Sequence, residues 1–419
     1  MLAEQGVACS NRAGGAMVGS GDHPLLFSYS LRLCCTMGAQ VHCDVMIIGG
    51  GPAGLSTALH LLCYSPQWSK RLLVLEKGLY PRFKLCGGAV TRLGFRILQG
   101  LGFPYPLPLP QFNVKEVRLR YRRQVVTLYG EPQLVIFNRT ELDAYLAQQA
   151  KARGVQIQEG KEVKAITFLP DGVSLSTAET EYFAQVVVGA DGAGGITHRW
   201  VRRRTAKARL ARTLEVVLPA SLSAELFQSA ATLFDFSLLK EGLQGYVWDF
   251  PFFQNGEAAF NRGLYDARLD RNKPRPPLPI FLQAAFSAAS PAMQSAWRSH
   301  PIHWFSPRNR FAYPRLLLVG EVAGVDPLFG EGIAPSLAYG QLAAQAIRDA
   351  FERQDFSFST YRWRLKNSYL GRYLMSRWFT AEVCYRLAGQ GWFPPLVWAL
   401  GGLLARLFPP PPPLLAPQS

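Results

Sequence analysis

Residues 43–77, CDVMIIGGGPAGLSTALHLLCYSPQWSKRLLVLEK, constrain the fold most. The apolar run Val45 to Ile48 has the character of a buried parallel strand. It breaks into Gly49-Gly50-Gly51-Pro52-Ala53-Gly54, and a helical spacing of Leu55, Ala58, Leu59 and Leu62 follows. In a strand, glycine turn, helix unit Gly49 makes the tight turn and Gly51 lets backbone approach a pyrophosphate. Gly54 lets helix and strand pack closely, so that the diphosphate sits on the helix N-terminus. A second apolar strand, Leu72 to Leu75, ends in Glu76, an acid placed to accept from a ribose hydroxyl. The stretch therefore predicts a dinucleotide site on an α/β fold with a parallel sheet.

The chain has 419 residues, room for two or three domains. Its 45 Lys+Arg against 29 Asp+Glu give a net charge of +16, which favours an anionic partner. No nucleic-acid module is recognisable, so the expected partner is a membrane surface rather than nucleic acid. Seven cysteines at positions 9, 34, 35, 43, 63, 86 and 384 lack paired metal-ligand spacing. Neither a zinc site nor a disulfide framework is expected, no metal is called for, and a reducing, cytoplasmic setting follows. Residues 1–40 have no steady periodicity and are expected to be a disordered tail, with Met37 an alternative start. The apolar stretch Pro24 to Cys35 is interrupted by Ser and by Arg32, unlike a secretory signal.

Downstream, KLCGG at Lys84 to Gly88 is a loop whose paired glycines permit close approach to a flat ligand. Residues 111–137 alternate as antiparallel strands, inserted into the dinucleotide domain, and a helix is expected from Thr140 to Arg153, with Arg139 at its start. Val155 to Val163 and Ala165 to Phe168 are expected as short strands, the latter in a hairpin. The apolar Val186 to Val188 runs into a second glycine turn, Gly189-Ala190-Asp191-Gly192, followed by a densely basic run from Arg199 to Arg212. Residues 206–311 are expected to form an antiparallel substrate domain with a helix near Leu278 to Ser290. In it, Tyr246, Trp248 and Phe250 share one strand face as an aromatic wall. Leu316 to Val319 leads to a third glycine turn, Gly320 to Gly332, and a helix from Ala334 to Phe351. The expected dinucleotide domain is thus 41–205 with 312–356. Residues 357–408 form a helical region facing either a membrane or the protein's own core, and 409–419 a proline-rich tail. From Thr360 on, seven Lys+Arg stand against one acid, Glu382, among many Trp and Tyr. The uncharged run Trp392 to Ala405 is shorter than the ~20 residues a bilayer span needs.

GGGPAG, GADG and the late GE…GEGI, in this order, resemble the FAD-binding fold of the aromatic hydroxylase class. KLCGG at 84–88 and YVWDFP at 246–251 resemble the KxCGG and YxWxFP motifs of the geranylgeranyl reductase family. Glu321 stands where that family usually has Asp. The resemblance covers roughly residues 43–350 and implies a Rossmann-like FAD-binding domain with an antiparallel substrate domain and a helical C-terminal region. By motif, Ala53 and the flanking Gly49, Gly51 and Gly54 would hold the pyrophosphate, Glu76 the ribose, Arg139 the FAD, and Val163 the adenine through its backbone. Cys86, Gly87, Gly88, Gly332 and Ile333 would surround the isoalloxazine, with Glu321 reaching the ribityl chain and Asp191 on the second turn.

Family members reduce carbon–carbon double bonds of polyprenyl chains on lipids, quinones or pigment precursors, with NAD(P)H or another electron donor. An isolated alkene is unpolarised, so hydride delivery must be matched by a proton to the other carbon. Cys86, beside Tyr246 and Trp248, is the candidate for that catalytic part, in what should be an apolar pocket. A flavin monooxygenase or halogenase of the same fold, and a quinone-linked electron-transfer flavoprotein, are the alternatives.

Overall fold

A computed structural model of the chain describes residues 41–203, 210–270, 272–286 and 297–407. The expectations for the 1–40 tail, part of the basic run, the end of the helix near Leu278 and the proline-rich tail lie outside these residues. In chain order the elements begin with β1 (Val41–Ile48), α1 (Pro52–Tyr64), β2 (Leu72–Leu75), β3 (Ala89–Thr91), α2 (Arg92–Gly100), β4 (Gln111–Tyr121), β5 (Gln124–Phe137), α3 (Arg139–Ala152) and β6 (Gln156–Gln158). They continue with β7 (Ala165–Phe168), β8 (Val173–Ser176), β9 (Glu181–Gly189), α4 (Ile196–Arg202), β10 (Leu210–Pro219), α5 (Glu225–Gln228), β11 (Ala231–Asp235), β12 (Gly245–Gln254), β13 (Glu257–Asp266) and α6 (Leu278–Ala285). The last are β14 (Arg298–His303), β15 (Ala312–Tyr313), β16 (Leu316–Leu318), α7 (Ile333–Arg353), α8 (Tyr361–Asn367), α9 (Tyr369–Leu387) and α10 (Phe393–Leu407).

Two sheets carry the α/β architecture. The first runs β15-β16-β9-β1-β2-β6, parallel from β16 to β6, with the β7/β8 hairpin hanging from β9. Its central strands are apolar on both faces because helices cover both; Val45 to Ile47 and Val186 to Val188 are fully buried. The second sheet runs β14-β10-β13-β12-β11-β4-β5-β3 and is antiparallel except where β11 lies parallel to β4. The 111–137 insertion therefore pairs into the sheet of the substrate region. On its inner face Tyr246, Trp248, Phe250 and Phe252 join Phe234, Phe236 and Tyr265 in one core, while Val247 and Leu264 point to the other side.

Local departures from expectation have local causes. Of Val155 to Val163 only Gln156–Gln158 pairs as strand, because the chain turns at Gly160 and Lys161 N donates to Glu76 O at 2.9 Å. The helix expected to end at Phe351 continues to Arg353, ending on Gln354 in the left-handed region at φ 54°. Cys63 on α1 is disulfide-bonded, where no disulfide framework was expected.

α1 and α7 cross in contact. Ser56 Oγ donates to Leu337 O at 2.7 Å, and a Cβ on Gly340 would lie 2.5 Å from Ser56 Cβ and 2.6 Å from Thr57 N. The C-terminal helices return to the second sheet. Tyr385 on α9 donates to Leu328 O, and Trp398 on α10 donates through Nε1 to Leu119 O at 2.9 Å while packing on Tyr121 and Phe236. α10 thus covers the protein's own sheet with one face. Its other face, Leu396, Leu400, Leu403, Leu404 and Leu407, is exposed. Among the described residues no helix is long and apolar enough to cross a membrane.

Because backbone of α1 faces Gly340, the helices cannot yield locally to an added methyl. Gly340→Ala is expected to cost roughly 1–3 kcal/mol, lowering the melting temperature by several degrees in scanning calorimetry. An unchanged melting temperature would show the crossing to be looser than this.

Candidate active site

The carboxyl ends of β1, β9 and β16 lie side by side, and all three glycine turns leave from that edge. Gly49 N donates to Leu75 O, Ala190 N to Ile48 O and Val319 N to Gly189 O, at 2.8 to 3.0 Å, so the ladder runs on into the turns. Gly49 has φ 106°, and a Cβ there would lie 2.5 Å from Ala190 O. A Cβ on Gly54 would collide with Gly49 O, so the first turn of α1 rests on the end of β1. Gly320 in turn approaches Ala53 and Ser336, each within 2.9 Å of where its Cβ would be. The first turn therefore touches both others. Gly51 differs: the nearest atom to a Cβ there is Arg82 Nη2 at 3.7 Å, and the α1 N-terminus has no side-chain cap.

At one end of this cradle Glu76, buried, accepts from Gly50 N at 2.8 Å and Gly78 N at 2.9 Å. Tyr80 donates its hydroxyl to Gly50 O. Arg82 enters between two acids, 3.3 Å from Glu76 Oε1 and 3.3 Å from Asp143 Oδ2, with its Nε buried and without a hydrogen bond. Val163 is buried beside the Glu76 loop, which Lys161 N and Gly160 N both bond. Arg82 is one of the residues that the sequence alone did not single out. Its signal was a basic side chain six residues beyond the acid in a Gly- and Pro-bearing loop.

At the other end the Lys84 to Gly88 loop reaches the second sheet. A Cβ on Gly87 would lie 3.1 Å from the Phe250 ring and 3.8 Å from Trp248 Nε1. Gly88 O accepts from Phe137 N at 3.1 Å and Gly88 N reaches Cys86 Sγ at 3.5 Å. Asn261 on β13 ties the two together: it accepts from Trp248 Nε1 at 2.7 Å and donates to Cys86 O at 3.3 Å. Cys86 is not in the wholly apolar pocket that the alkene chemistry led one to expect, because the buried Arg139 guanidinium is close enough to interact with its thiol. Arg139 also donates to both oxygens of Asp143, at 3.0 and 3.1 Å. Burial opposes its charge, but Asp143 and Cys86 outweigh that and hold its pKa above the ordinary arginine value. Tyr246, by contrast, gives its hydroxyl to Phe329 O and so pins the turn before α7.

Glu321 stands between the ends. Its carboxylate lies 3.8 Å from Lys84 Nζ and 3.5 Å from His300 Nε2, and accepts from Ala193 N at 3.4 Å. Burial alone would raise its pKa, yet Lys84, His300 and the Ala193 N–H hold the carboxyl well below the usual range. Gly332, the residue before α7, would place a Cβ 3.9 Å from Glu321 Oε1, and Ile333 beyond it is buried. Asp191 accepts from both N and Oγ1 of Thr197, which uses its carboxylate to hold α4 against the second turn.

Residues 42–252 match the FAD binding domain family. The chain belongs to that family. It is an FAD-dependent oxidoreductase, similar to the digeranylgeranylglycerophospholipid reductase of Thermoplasma volcanium at 24% identity over 83% of this chain and 89% of that one. Its fold is similar to the geranylgeranyl bacteriochlorophyll reductase-like structure from Thermoplasma acidophilum, with a TM-score of 0.69 and 20% identity over 88% and 91% of the two chains. The halogenase PltM in complex with phloroglucinol and FAD shares the fold at a TM-score of 0.62 and 16% identity, over 87% and 83%.

The residues fit FAD. Gly51 opens onto space where Gly49 and Gly54 are packed against backbone, the uncapped α1 N-terminus presents N–H groups, and Arg82 adds a half-buried cation whose Nη2 is the nearest atom to a Cβ placed on Gly51. A valine side chain at Gly51 would occupy the diphosphate's place while leaving the strand–helix contact intact. Gly51→Val is therefore expected to fold with its native far-ultraviolet circular dichroism but to purify without flavin absorbance. Retained stoichiometric FAD would overturn the cradle assignment.

Proposed function

We propose that this oxidoreductase saturates carbon–carbon double bonds of a polyprenyl chain on a lipid, quinone or pigment precursor, drawing electrons from NAD(P)H or another donor. The observation that carries this is the meeting of the two stretches resembling that family's motifs: Gly87 of KLCGG lies against Phe250 and Trp248 of YVWDFP, and Asn261 bonds both segments. The Thermoplasma relative, named for its action on a digeranylgeranyl lipid, supports the same substrate class.

Bound FAD, once reduced, supplies the hydride equivalent for such a saturation. The chain's own residues do the rest. Gly87 lets a flat ring and an apolar chain come close, and Trp248 and Phe250 wall the site against water. From there aromatic rings continue through Tyr246 and Phe236 to Trp398 on α10, with centroid separations of 5.2 to 6.2 Å. A prenyl chain has no polar handle, and a wall of rings is the surface that positions it. The halogenase neighbour shares the fold, whereas the contact between the KLCGG and YVWDFP stretches favours the reductase. Under anaerobic conditions, chemically reduced protein mixed with a geranylgeranyl phospholipid is expected to reoxidise, with the lipid gaining two hydrogens per bond by mass spectrometry. Reoxidation only on admitting oxygen, with a hydroxylated or halogenated product, would overturn this.

The exposed leucine stripe of α10, together with exposed Trp392, Phe379 and Trp363 and the basic residues of α8 and α9, supports peripheral docking on an anionic bilayer. Such docking would bring a lipid-borne chain to the end of the ring run at Trp398. Flotation with phosphatidylglycerol/phosphatidylcholine vesicles should weaken with salt. The Leu400→Asp/Leu404→Asp variant should fall by more than about tenfold, as two half-exposed leucines no longer enter the interface. Undiminished flotation of the double variant would rule out this face.

A further inference from the structure

Glu215, which no motif singled out, sits inside the second sheet on the strand facing the Cys86 loop. It is 3% exposed, and on β10 it points to the same side as the aromatic wall, since Leu214 belongs to the opposite core. Its register partner on β13 is Gly263, and Gly263 pairs in turn with Trp248 on β12. Glu215, Gly263 and Trp248 therefore form one row across three strands with no side chain in the middle. A Cβ on Gly263 would collide with the Trp248 ring and lie 2.8 Å from Glu215 Cβ. The glycine lets the acid and the indole close on each other beneath Gly87.

The groups around the carboxyl come from every neighbouring element. The Cys86 backbone amide and the Asn261 side-chain amide lie close enough to favour its charged form, as do the Lys84 ammonium from the loop and the Arg139 guanidinium from α3. On β14 its register partner, Arg298, is solvent-exposed. Burial is the largest influence and pushes the carboxyl up to about 7, while those four neighbours work in the opposite direction. A carboxylic acid of that strength at neutral pH can both give a proton and recover it.

Resting on the reductase function proposed above, we propose that Glu215 is the acid that protonates the substrate carbon. As the alkene's π bond breaks, one carbon takes the hydride equivalent originating in the two-electron donor. The other carbon forms its new C–H bond with the Glu215 carboxyl proton. The O–H bond breaks with its electron pair left on Glu215, and solvent reprotonates the carboxylate between turnovers. Asn261 orients this carboxyl by bonding Cys86 O and Trp248 at the same time, and so is a positioning residue.

The test uses the FAD-loaded protein. Glu215→Gln keeps the shape and loses the proton. It is expected to keep the flavin spectrum and to be reduced by dithionite at the wild-type rate, yet to be reoxidised by a geranylgeranyl phospholipid at least ~100-fold more slowly. In the wild type this reoxidation should decline as pH rises through about 7, because the acid form is the reactive one. Apart from turnover, the absorbance of the bound flavin should show an ionisation near that pH that is absent from Glu215→Gln. Wild-type reoxidation by the Gln variant, or persistence of that ionisation in it, overturns the proposal. Glu215→Asp keeps the proton but withdraws it by a methylene, and should recover part of the rate together with the pH decline. Should the Gln variant fail to retain FAD, a pH-independent Asp variant overturns the proposal in its place. Cys86→Ala is the control for the competing donor: if it abolishes the pH decline while Glu215→Gln keeps it, the thiol and not the carboxyl gives the proton. A wild-type protein that reduces no prenyl alkene sinks the function itself, whereas normal wild-type turnover with an unaffected Gln variant sinks the acid alone.

Discussion

How near α1 can come to the end of β1 governs nearly everything else in the molecule. With hydrogen in place of a methyl at Gly54, the helix rests on Gly49 O, and its N–H groups point along the sheet edge. The second and third turns then close on the first at Ala190 and Ala53, so one short approach fixes three loops from distant parts of the chain. A helix N-terminus carries roughly half a positive charge, and here that charge is paired with Arg82 in the same cradle. The same cradle holds two buried acids, Glu76 and Asp143, each 3.3 Å from the Arg82 guanidinium.

The second sheet meets that edge through one loop. Lys84 to Gly88 spans from the acid-bearing strand to β3, and its contacts differ along its length: Lys84 toward Glu321 and His300, Cys86 toward Arg139 and Asn261, Gly87 toward the rings. Charged contacts gather at its Lys84 end and ring contacts at its Gly87 end, within a single short loop. Such a boundary suits the proposed reaction, which joins an ionic cofactor to a hydrocarbon.

Much of this was legible in the residues. The apolar runs at Val45, Leu72, Val186 and Leu316 gave the parallel sheet because each is bounded by glycine or an acid, and the two-residue period gave the shared face of Tyr246, Trp248 and Phe250. Arg139 with Asp143 was a helical i,i+4 pair in plain view, but that Cys86 joins them depends on a loop more than fifty residues earlier. Glu215 lay hidden for a related reason. In Leu214-Glu215-Val216-Val217 an acid between apolar residues marks either an exposed edge or a buried centre, and only pairing with β13 and β14 decides which. Asp191 went the other way: an acid in a glycine turn suggested a ligand contact, and Thr197, a little further along the chain, takes both its oxygens. Short-range pattern determines which element a residue belongs to, while long-range pairing determines what its side chain meets.

The pairing of β11 with β4, the parallel step in an otherwise antiparallel sheet, bears on how the chain reaches this state during synthesis. β4 leaves the ribosome long before β11, and β9 waits for β16, which is made much later. Neither sheet can be completed until nearly the whole chain has emerged, and loop closure over such spans is slow. The nascent protein therefore carries β4 and β9 each with one edge unpaired until β11 and β16 have emerged, and such an open edge is where a chain still being made is prone to aggregate.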